Sequence, residues 1–545
     1  MNHQSVFNQR SFRDWPAGPW HSLAVALVLV MTCILPAASF AQLPGSLDTS
    51  FDTGGKAVSI PIGSKHDQLT AAAIQPDGKI VLAGLCIVGT GVDFCVARLN
   101  IDGLLDVTFD GPSGVADGTV LLPIGTGDDF AFALALQPDG KILLSGYCQN
   151  GAAIDFCVAR LNPNGSFDTS FVGPSGTGNG KVMFSVGSGT SYTQASAIAL
   201  QPDGKIVLAG ECRTGSNSDF CVARLNANGS FDPSFNGPSG TGGGRFALPI
   251  GPGFDVLTAM ALQADGKIVL AGSCSNASVV SEFCIARLNV DGTLDASFNG
   301  PAGNGNGKFL LSINGGGDNA NALVVQPDGK LVLVGQCLGS VVNICVTRLN
   351  PDGAYDQSFD GPSGNGNGKF LIPIGSSYGV ATAVAQQPDG KIVIAGYCYG
   401  AGNEDFCTAR LNGDGSLDAT FAGPAGNALG KFLLPIGLAR DEGTAIVLQP
   451  DGKIVLAGYC VNGGNADFCA ARLNGGPFSA RNCSLDIDGD GSITTATDVL
   501  INARVALGFR GAAVLSGISF SADAKRNTWP LIRDYLFSQC GLAVY

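Results

Sequence analysis

Short apolar runs broken by turn residues, without helical stripes, organise this chain. In residues 194–200 (QASAIAL) apolar and small residues alternate as in a half-buried strand. Pro202, Asp203 and Gly204 follow with turn chemistry, because proline presets φ and glycine accepts the left-handed conformation. Residues 205–212 (KIVLAGEC) are mostly apolar, as expected of a strand covered on both faces. A polar tip at 213–218 leads to a third strand at 219–226 (DFCVARLN). A long Gly-, Pro- and Asn-rich connection, 227–244, precedes a fourth at 245–250 (RFALPI).

This unit recurs. Gln-Pro-Asp-Gly-Lys or a near copy begins at Gln75, Gln137, Gln201, Gln263, Gln326, Gln387 and Gln449, at intervals of 61 to 64 residues, and only the fourth departs, with Ala264 for proline. A fixed period of this length marks a repeat architecture. Seven β-rich units arranged in a circle make a ring with no free sheet edge. The expected fold is all-β: a seven-bladed β-propeller of four-stranded blades, followed by a small α-helical C-terminal calcium-loop module.

A second motif, Leu-Asp-x-x-Phe, gives the phase. It occurs at Asp48/Phe51, Asp106/Phe109, Asp168/Phe171, Asp232/Phe235, Asp295/Phe298, Asp356/Phe359 and Asp418/Phe421, so it starts before the first Gln-Pro-Asp-Gly and stops before the last. Residues 43–62 therefore hold only the tail of a unit, with its fourth strand at 56–61. The seventh unit, 443–474, holds only the first three strands. Joined, they complete one blade from both chain ends and hide two edges that would invite aggregation. The third strand carries an arginine in every copy: Arg98, Arg160, Arg224, Arg287, Arg348, Arg410 and Arg472. A charge present once per blade is distributed around the ring. That suits a repeated ion pair or turn hydrogen bond better than a catalytic site, which needs unlike groups converging.

Composition narrows the setting. The formal net charge of -13 disfavours nucleic acid and anionic lipid as partners. Residues 1–41 read as an export signal: Arg10 and Arg13 precede an apolar stretch at 23–35, then come Ala37, Ala38, Ser39 and Ala41, with cleavage expected after Ala41. The stretch falls short of the ~20 residues that a membrane span needs, so no integral span is expected after removal of the signal. Domains are then read as 1–41 signal, 42–477 propeller and 480–545 C-terminal module, in a secreted protein (extracellular, cell-surface or periplasmic) expected to be a monomer.

The mature chain keeps sixteen cysteines. Fourteen form one pair per repeat, Cys86/Cys95, Cys148/Cys157, Cys212/Cys221, Cys274/Cys284, Cys337/Cys345, Cys398/Cys407 and Cys460/Cys469, while Cys483 and Cys540 bracket the C-terminal segment. Export and paired spacing favour disulfides over metal thiolates. Each cysteine pair is expected to face directly across a hairpin ladder. Histidine is nearly absent from the mature chain: only His66 remains, in the linker to the first full unit, where exposure is expected. A Ser-His-Asp hydrolase or a His-ligated metal has almost nothing to work with.

The LQPDGKIVLAG and ARLN-x-DG-x-LD-x-x-F strings, over about residues 43–474, resemble the delta-60 repeat proteins, predicted bacterial β-propellers without an established activity. The order of strands and turns also looks like the general layout of NHL-type blades. The resemblance implies the fold and hardly anything about function. The cysteine pairs are a departure not assumed for that family.

After Asn474 the repeat stops. Asp486, Asp488 and Asp490 at alternate positions, then Gly491, Ser492 and Ile493, form the front half of an EF-hand calcium loop. The expected calcium ligands are Asp486, Asp488, Asp490, Ser492 and Asp498. A standard loop would place its carboxylate at Thr497, so whether Thr497 or Asp498 completes the site is open. Residues 499–507 (VLINARVAL) read as a helix, and 529–537 as another. The segment resembles half of a dockerin module without a second acidic loop, and a Cys483–Cys540 bridge would staple it.

Function is then sought where the copies differ. One end of the ring should carry the second-to-third-strand tips and the links between blades, including Asp128, Asp129, Tyr192, Phe254, Asp255, Tyr378, Arg440, Asp441 and Glu442. The other end carries near-identical Pro-Asp-Gly turns. Variation on a constant frame suits a binding surface. The expected function is a secreted, non-catalytic propeller scaffold or recognition protein binding protein or glycan ligands, with no catalytic residues assigned. The alternative is a secreted carboxylate-dependent hydrolase or lyase acting on polysaccharide.

Overall fold

A computed structural model of the chain describes residues 43–545 except 177, 187–191, 215–216, 242, 279, 305, 365–366, 401, 428, 477–485, 491, 495, 507–511, 522, 530, 533–535 and 537–545. The export signal, Cys483 and Cys540 lie outside the described residues. Among the described residues, twenty-eight strands form seven four-stranded sheets. The first complete sheet orders β2 (Asp67–Ile74), β3 (Ile80–Val88), β4 (Gly91–Leu99) and β5 (Thr119–Leu122), all antiparallel. Five more blades repeat this order. The seventh takes β26 (Asp441–Leu448), β27 (Ile454–Asn462) and β28 (Asn465–Leu473) from one end of the chain and β1 (Lys56–Ile60) from the other. The seven-bladed, four-stranded propeller read from the repeats is the observed fold.

First strands of neighbouring blades touch all the way round, including β2 against β26, so they form the innermost circle and border the central channel. Each carries a bulge, and in five blades the bulged residue, Thr or Asn, bonds the next blade. Thr70 Oγ1 donates to Ala131 O at 2.9 Å, Thr258 to Ala320 at 2.7 Å and Thr382 to Gly443 at 2.7 Å. Thr444 donates to Leu69 O at 2.9 Å and closes the circle. The bulge also explains the glycine of each Leu-Ala-Gly string. A Cβ on Gly84 would lie 2.0 Å from Gln68 O, and the equivalent glycines are as tight, at 1.8–2.0 Å.

Neighbouring blades are clamped at the opposite end by the recurrent arginine. Arg98 Nε lies 2.6 Å from Asp106 Oδ2, its guanidinium sits 4.6 Å over the Phe109 ring, and Nη1 donates to Pro163 O of the next blade at 2.5 Å. Lys79 of the Gln-Pro-Asp-Gly-Lys turn reaches the same carboxylate at 2.9 Å. Phe109 packs among Phe94 and Val96 of its own blade and Ile142 and Leu144 of the next. The seventh clamp is made by both chain ends: Arg472 Nε to Asp48 Oδ2 at 2.7 Å, Arg472 over Phe51 at 4.7 Å, and Nη1 to Ile101 O of the first blade. Gly103, at φ +90°, lets that turn lie flat on Phe51, since a Cβ would meet the ring at 2.8 Å. The ion pair expected within each blade is present, and it also reaches across to the next.

Two strand boundaries differ from expectation. The tip read at 213–218 is shorter, because the ladder of β11 (Ile206–Thr214) with β12 (Asn217–Leu225) continues through Arg213–Ser218 and Thr214–Asn217 pairs. Fourth strands end before Pro61 and Pro249, which lack the N–H that the ladder needs.

The seven repeat disulfides form as paired in the sequence: Cys86–Cys95, Cys148–Cys157, Cys212–Cys221, Cys274–Cys284, Cys337–Cys345, Cys398–Cys407 and Cys460–Cys469. The expectation that each pair faces directly across the ladder is corrected, because every bridge is diagonal. In each blade the second cysteine opposes the glycine of the Leu-Ala-Gly string. Cys95 faces Gly84, Cys157 faces Gly146, Cys221 faces Gly210 and Cys284 faces Gly272. Likewise Cys345 faces Gly335, Cys407 faces Gly396 and Cys469 faces Gly458. The first cysteine opposes a polar residue two places before its partner. Cys86 faces Asp93, Cys148 Asp155, Cys212 Asp219 and Cys274 Glu282, while Cys337 faces Asn343, Cys398 Asp405 and Cys460 Asp467. Hairpin twist shortens one diagonal, bringing the Cα atoms to 5.6–5.8 Å in all seven pairs, within reach of a disulfide.

In the C-terminal segment, α1 (Asp498–Ala506) and the short α2 (Ala512–Leu515) share a small core of Ile487, Ile501, Val505, Val514, Trp529, Ile532 and Leu536. The expected helix at 529–537 falls only partly on described residues.

Closure through β1 makes a direct expectation. Deleting residues 43–62 exposes the β28 edge and leaves Arg472 without Asp48, so the variant should melt earlier and associate with rising concentration in light scattering. Arg472→Met, which retains β1, should cost about 3 kcal/mol in denaturant unfolding, because buried Asp48 loses its guanidinium and keeps only Ser50 and Lys453.

Candidate functional site: the channel mouth and the C-terminal acidic loop

The carboxylates flanking the ring have opposite environments. Burial would raise the Asp48 carboxyl, but hydrogen bonds from Ser50 and Lys453 and the Arg472 charge outweigh it and hold it at about 2. Asp106, Asp295 and Asp356, in the same clamp role, are likewise lowered. At the other end, Asp67, Asp129, Asp255, Asp318 and Asp441 open their first strands and are fully buried. Each accepts backbone N–H groups from the link before it, as Asp129 does from Ile124 at 2.7 Å and Gly125 at 2.9 Å. Burial, strengthened by Asp219 of the preceding blade, pushes Asp255 up to about 6 against the pull of its backbone bonds. Asp129, Asp255 and Asp441, expected on the variable surface, are thus link-capping groups beneath it. His66 is exposed, and its Nδ1 accepts the Ala466 N–H at 3.0 Å.

What reaches the mouth is the next rung of each blade. In the second blade Phe130 opposes Tyr147, with rings stacked at 4.6 Å, and Phe132 packs at 5.7 Å. In the third, Gln194 opposes Glu211, and Tyr192 from the link donates its hydroxyl to Gln194 Oε1 at 3.0 Å while Arg213 sits 5.3 Å over its ring. In the sixth, Val380 opposes Tyr397, which lies 6.0 Å from Tyr378. In the seventh, Glu442 opposes Tyr459, and Arg440 pairs with Glu442 and, at 3.5 Å, with Glu404. The first, fourth and fifth blades place Gln68/Leu85, Val256/Ser273 and Asn319/Gln336 there. Phe254 stands exposed beside the fourth.

Tyr192, Tyr378, Arg440 and Glu442 therefore fall where the repeat pattern expects them. The sequence reading passed over Phe130, Tyr147, Glu211, Tyr397 and Tyr459. For Tyr147, Glu211, Tyr397 and Tyr459 the signal is the most variable column of an otherwise near-constant strand, the residue between Gly and Cys in LAGLC, LSGYC, LAGEC, LAGSC, LVGQC, IAGYC and LAGYC.

Burial, then Tyr192 and Asp128, lift the Tyr147 phenol to about 12, and burial with the Glu442 hydrogen bond raises Tyr459 further. These phenols stay protonated near neutrality, so they donate hydrogen bonds and do not act as bases. The raised carboxyls of Asp67, Asp129, Asp255 and Asp441 cap the links and hold backbone, and that of Glu211, raised by burial, faces Tyr192 and Arg213 at the mouth, while the first strands of the first, fourth and sixth blades border the channel mainly with Ala, Thr and Val. Neither arrangement is a convergent acid–base set.

In the C-terminal loop, carboxylate oxygens of Asp486, Asp488 and Asp498 lie within 4.8 Å of one another. Asp488 is fully buried and its Oδ2 has no hydrogen-bond partner. Burial and its three neighbouring carboxylates push its pKa up. Asp498 accepts the N–H groups of Ile487 at 2.6 Å and Thr494 at 2.9 Å, whereas Thr497 Oγ1 bonds Thr494 and Asp498. Asp490 accepts the Ser492 N–H at 2.8 Å. An orphan buried oxygen among clustered carboxylates fits a hard cation such as calcium.

Segments 75–109, 137–171, 201–235, 263–298, 326–359, 387–421 and 449–475 match the family described as a domain of unknown function (DUF5122) beta-propeller. No curated protein matches the chain. Similar solved structures include polysaccharide lyase Uly1 (12% identity, 78% of this chain and 92% of that one, TM-score 0.44). Others are a catalytically inactive virginiamycin B lyase from Staphylococcus aureus with quinupristin (12%, 76% and 98%, TM-score 0.42) and Sqt1 from Chaetomium thermophilum (14%, 77% and 99%, TM-score 0.37).

The two carboxylate classes have opposite pH signatures. Asp48 lies below its ordinary 3.8 when folded, so its stabilisation is present above about pH 4 and is lost as the pH falls towards 2. Asp255 lies above, so its contribution is present below about pH 4 and is lost as the pH rises through 6. Asp255→Asn should therefore exceed the parent in stability at pH 7, by about 1–2 kcal/mol, with the gap closing by pH 4 in urea titrations.

Proposed function

We propose that this chain, with seven DUF5122-type repeats closed into a disulfide-stapled ring, is an exported recognition protein. It presents the channel mouth to a protein or glycan ligand and carries a calcium-binding C-terminal unit. The observation that carries the reading is the contrast between the two ends of one ring. At one end Arg, Asp, Lys and Phe repeat in every blade and hold neighbours together. At the other, unlike aromatic, amide and charged residues occupy one equivalent rung. Function needs such broken symmetry, and stability does not.

Export is supported by the leader-like residues 1–41 and by seven disulfides, which persist in oxidising compartments. Among the described residues no helix is long and apolar enough to cross a membrane. Outer edge strands of only four or five residues support a monomer. Asp486, Asp488 and Asp498 would hold calcium, with Asp490 and Ser492 completing the loop. The cation would neutralise the cluster and bind α1 to the loop, in line with the dockerin-like resemblance. The delta-60 resemblance covers the ring. The polysaccharide hydrolase or lyase alternative is less well supported, because Glu404 and Glu442, the carboxylates brought together from neighbouring blades at the mouth, are both paired with Arg440.

Two measurements test this. Ligands selected on the immobilised mature chain from a peptide library and a glycan array should lose binding to the Tyr397→Ala/Tyr459→Ala variant. Selection of ligands that map only to the Pro-Asp-Gly end would sink the reading. Calcium titration should release heat and raise the melting temperature of the C-terminal unit, and Asp488→Asn should abolish both.

A further inference from the structure

Six of the nine tyrosines in the chain lie at the mouth end: Tyr147, Tyr192, Tyr378, Tyr397, Tyr399 and Tyr459. Tyr355, by contrast, bridges Leu349 at the clamp end. We infer that the mouth binds a neutral glycan chain, an inference that rests on the reading of this end as a recognition surface.

The tyrosines fall in two groups. Blades two and three hold one and blades six and seven the other, on opposite sides of a seven-membered ring. Each group offers a ring platform, stacked at 4.6 Å in Phe130–Tyr147 and tilted at 6.0 Å in Tyr378–Tyr397. A sugar has a C–H face that packs on such rings and equatorial hydroxyls that need donors and acceptors at their edge.

Each arginine at the mouth already has an acid beside it. Arg440 pairs with Glu442 and Glu404, and Arg213 offsets the charge of Glu211. A site for a carboxylate or phosphate would instead hold an uncompensated arginine. Tyr192, Tyr399 and Tyr459 spend their protons within the protein, so what is left for a ligand is phenol oxygens as acceptors, the amides of Gln68 and Gln336, the amide nitrogen of Asn319, and paired charges that can bridge two hydroxyls. The net charge of -13 repels uronates and sulfated chains besides. An extended peptide fits less well. It would add to a sheet edge, and the innermost strands already spend side-chain bonds on one another, as from Thr444 to Leu69.

The test uses the mature full chain in affinity gels and calorimetry with hexasaccharides of cellulose, β-1,3-glucan, xylan, mannan and chitin, with tetragalacturonate as the acidic control. At least one neutral hexasaccharide should bind, and tetragalacturonate should not. Tyr147→Ala and Tyr397→Ala should each weaken binding at least tenfold. Tyr459→Phe, which keeps the ring and the fold, should weaken it several-fold through the lost hydroxyl. If no neutral hexasaccharide binds, or tetragalacturonate binds better, the glycan inference is overturned. If, in addition, a selected peptide binds the parent and not Tyr397→Ala, the recognition surface stands while the glycan does not. Glycan binding indifferent to all three substitutions would overturn both.

Discussion

A guanidinium buried between two blades is the interaction on which the ring depends. Burying a charge costs more than its partner returns unless every hydrogen is satisfied. Each arginine here meets a carboxylate, a ring face, a hydroxyl and a carbonyl of the neighbouring blade. The set is complete only when two blades are docked in register. That makes the arginine a test of assembly: a misaligned neighbour leaves one of its buried N–H groups without an acceptor. Because the seventh set is made from Asp48, Phe51 and Arg472, the same condition decides whether the circle shuts.

With the clamp end fixed by this chemistry in every blade, variation is confined to the other end. The inner circle adds to the constraint, since threonines on the bulges tie first strands together and hold the channel wall rigid. A rigid wall with unlike residues at its rim is preorganised for a ligand, which lowers the ordering cost of binding. The buried link carboxylates belong to this support. They fix the backbone turn from which Arg440 projects and, at Asp129, the turn beside Phe130.

Most of the fold was legible because the repeat writes each element seven times. Strand order, blade number, the shared seventh blade and the pairing of fourteen cysteines all follow from spacing. The strand ends were less so. Polar residues such as Arg213 and Ser218 read as loop, yet they pair in a hairpin ladder. The diagonal position of the disulfides depends on twist, which a linear count does not carry. The mouth was half legible. Links stood out by being variable, but Asp129, Asp255 and Asp441 turned out to be capping groups, because one step along a strand separates a buried carboxylate from an exposed ring. Tyr397 and Tyr459 went unread because they sit inside a strand whose neighbours never change.

The diagonal disulfides have a consequence for how such a protein can diversify. Each one welds its hairpin just below the tip, and the enclosed stretch already tolerates lengths of seven to nine residues. Anything grafted above the weld inherits anchored ends, so its sequence is relieved of the duty of holding the blade together. The molecule therefore behaves as a rack of seven interchangeable sockets, in which specificity can be rewritten one cap at a time.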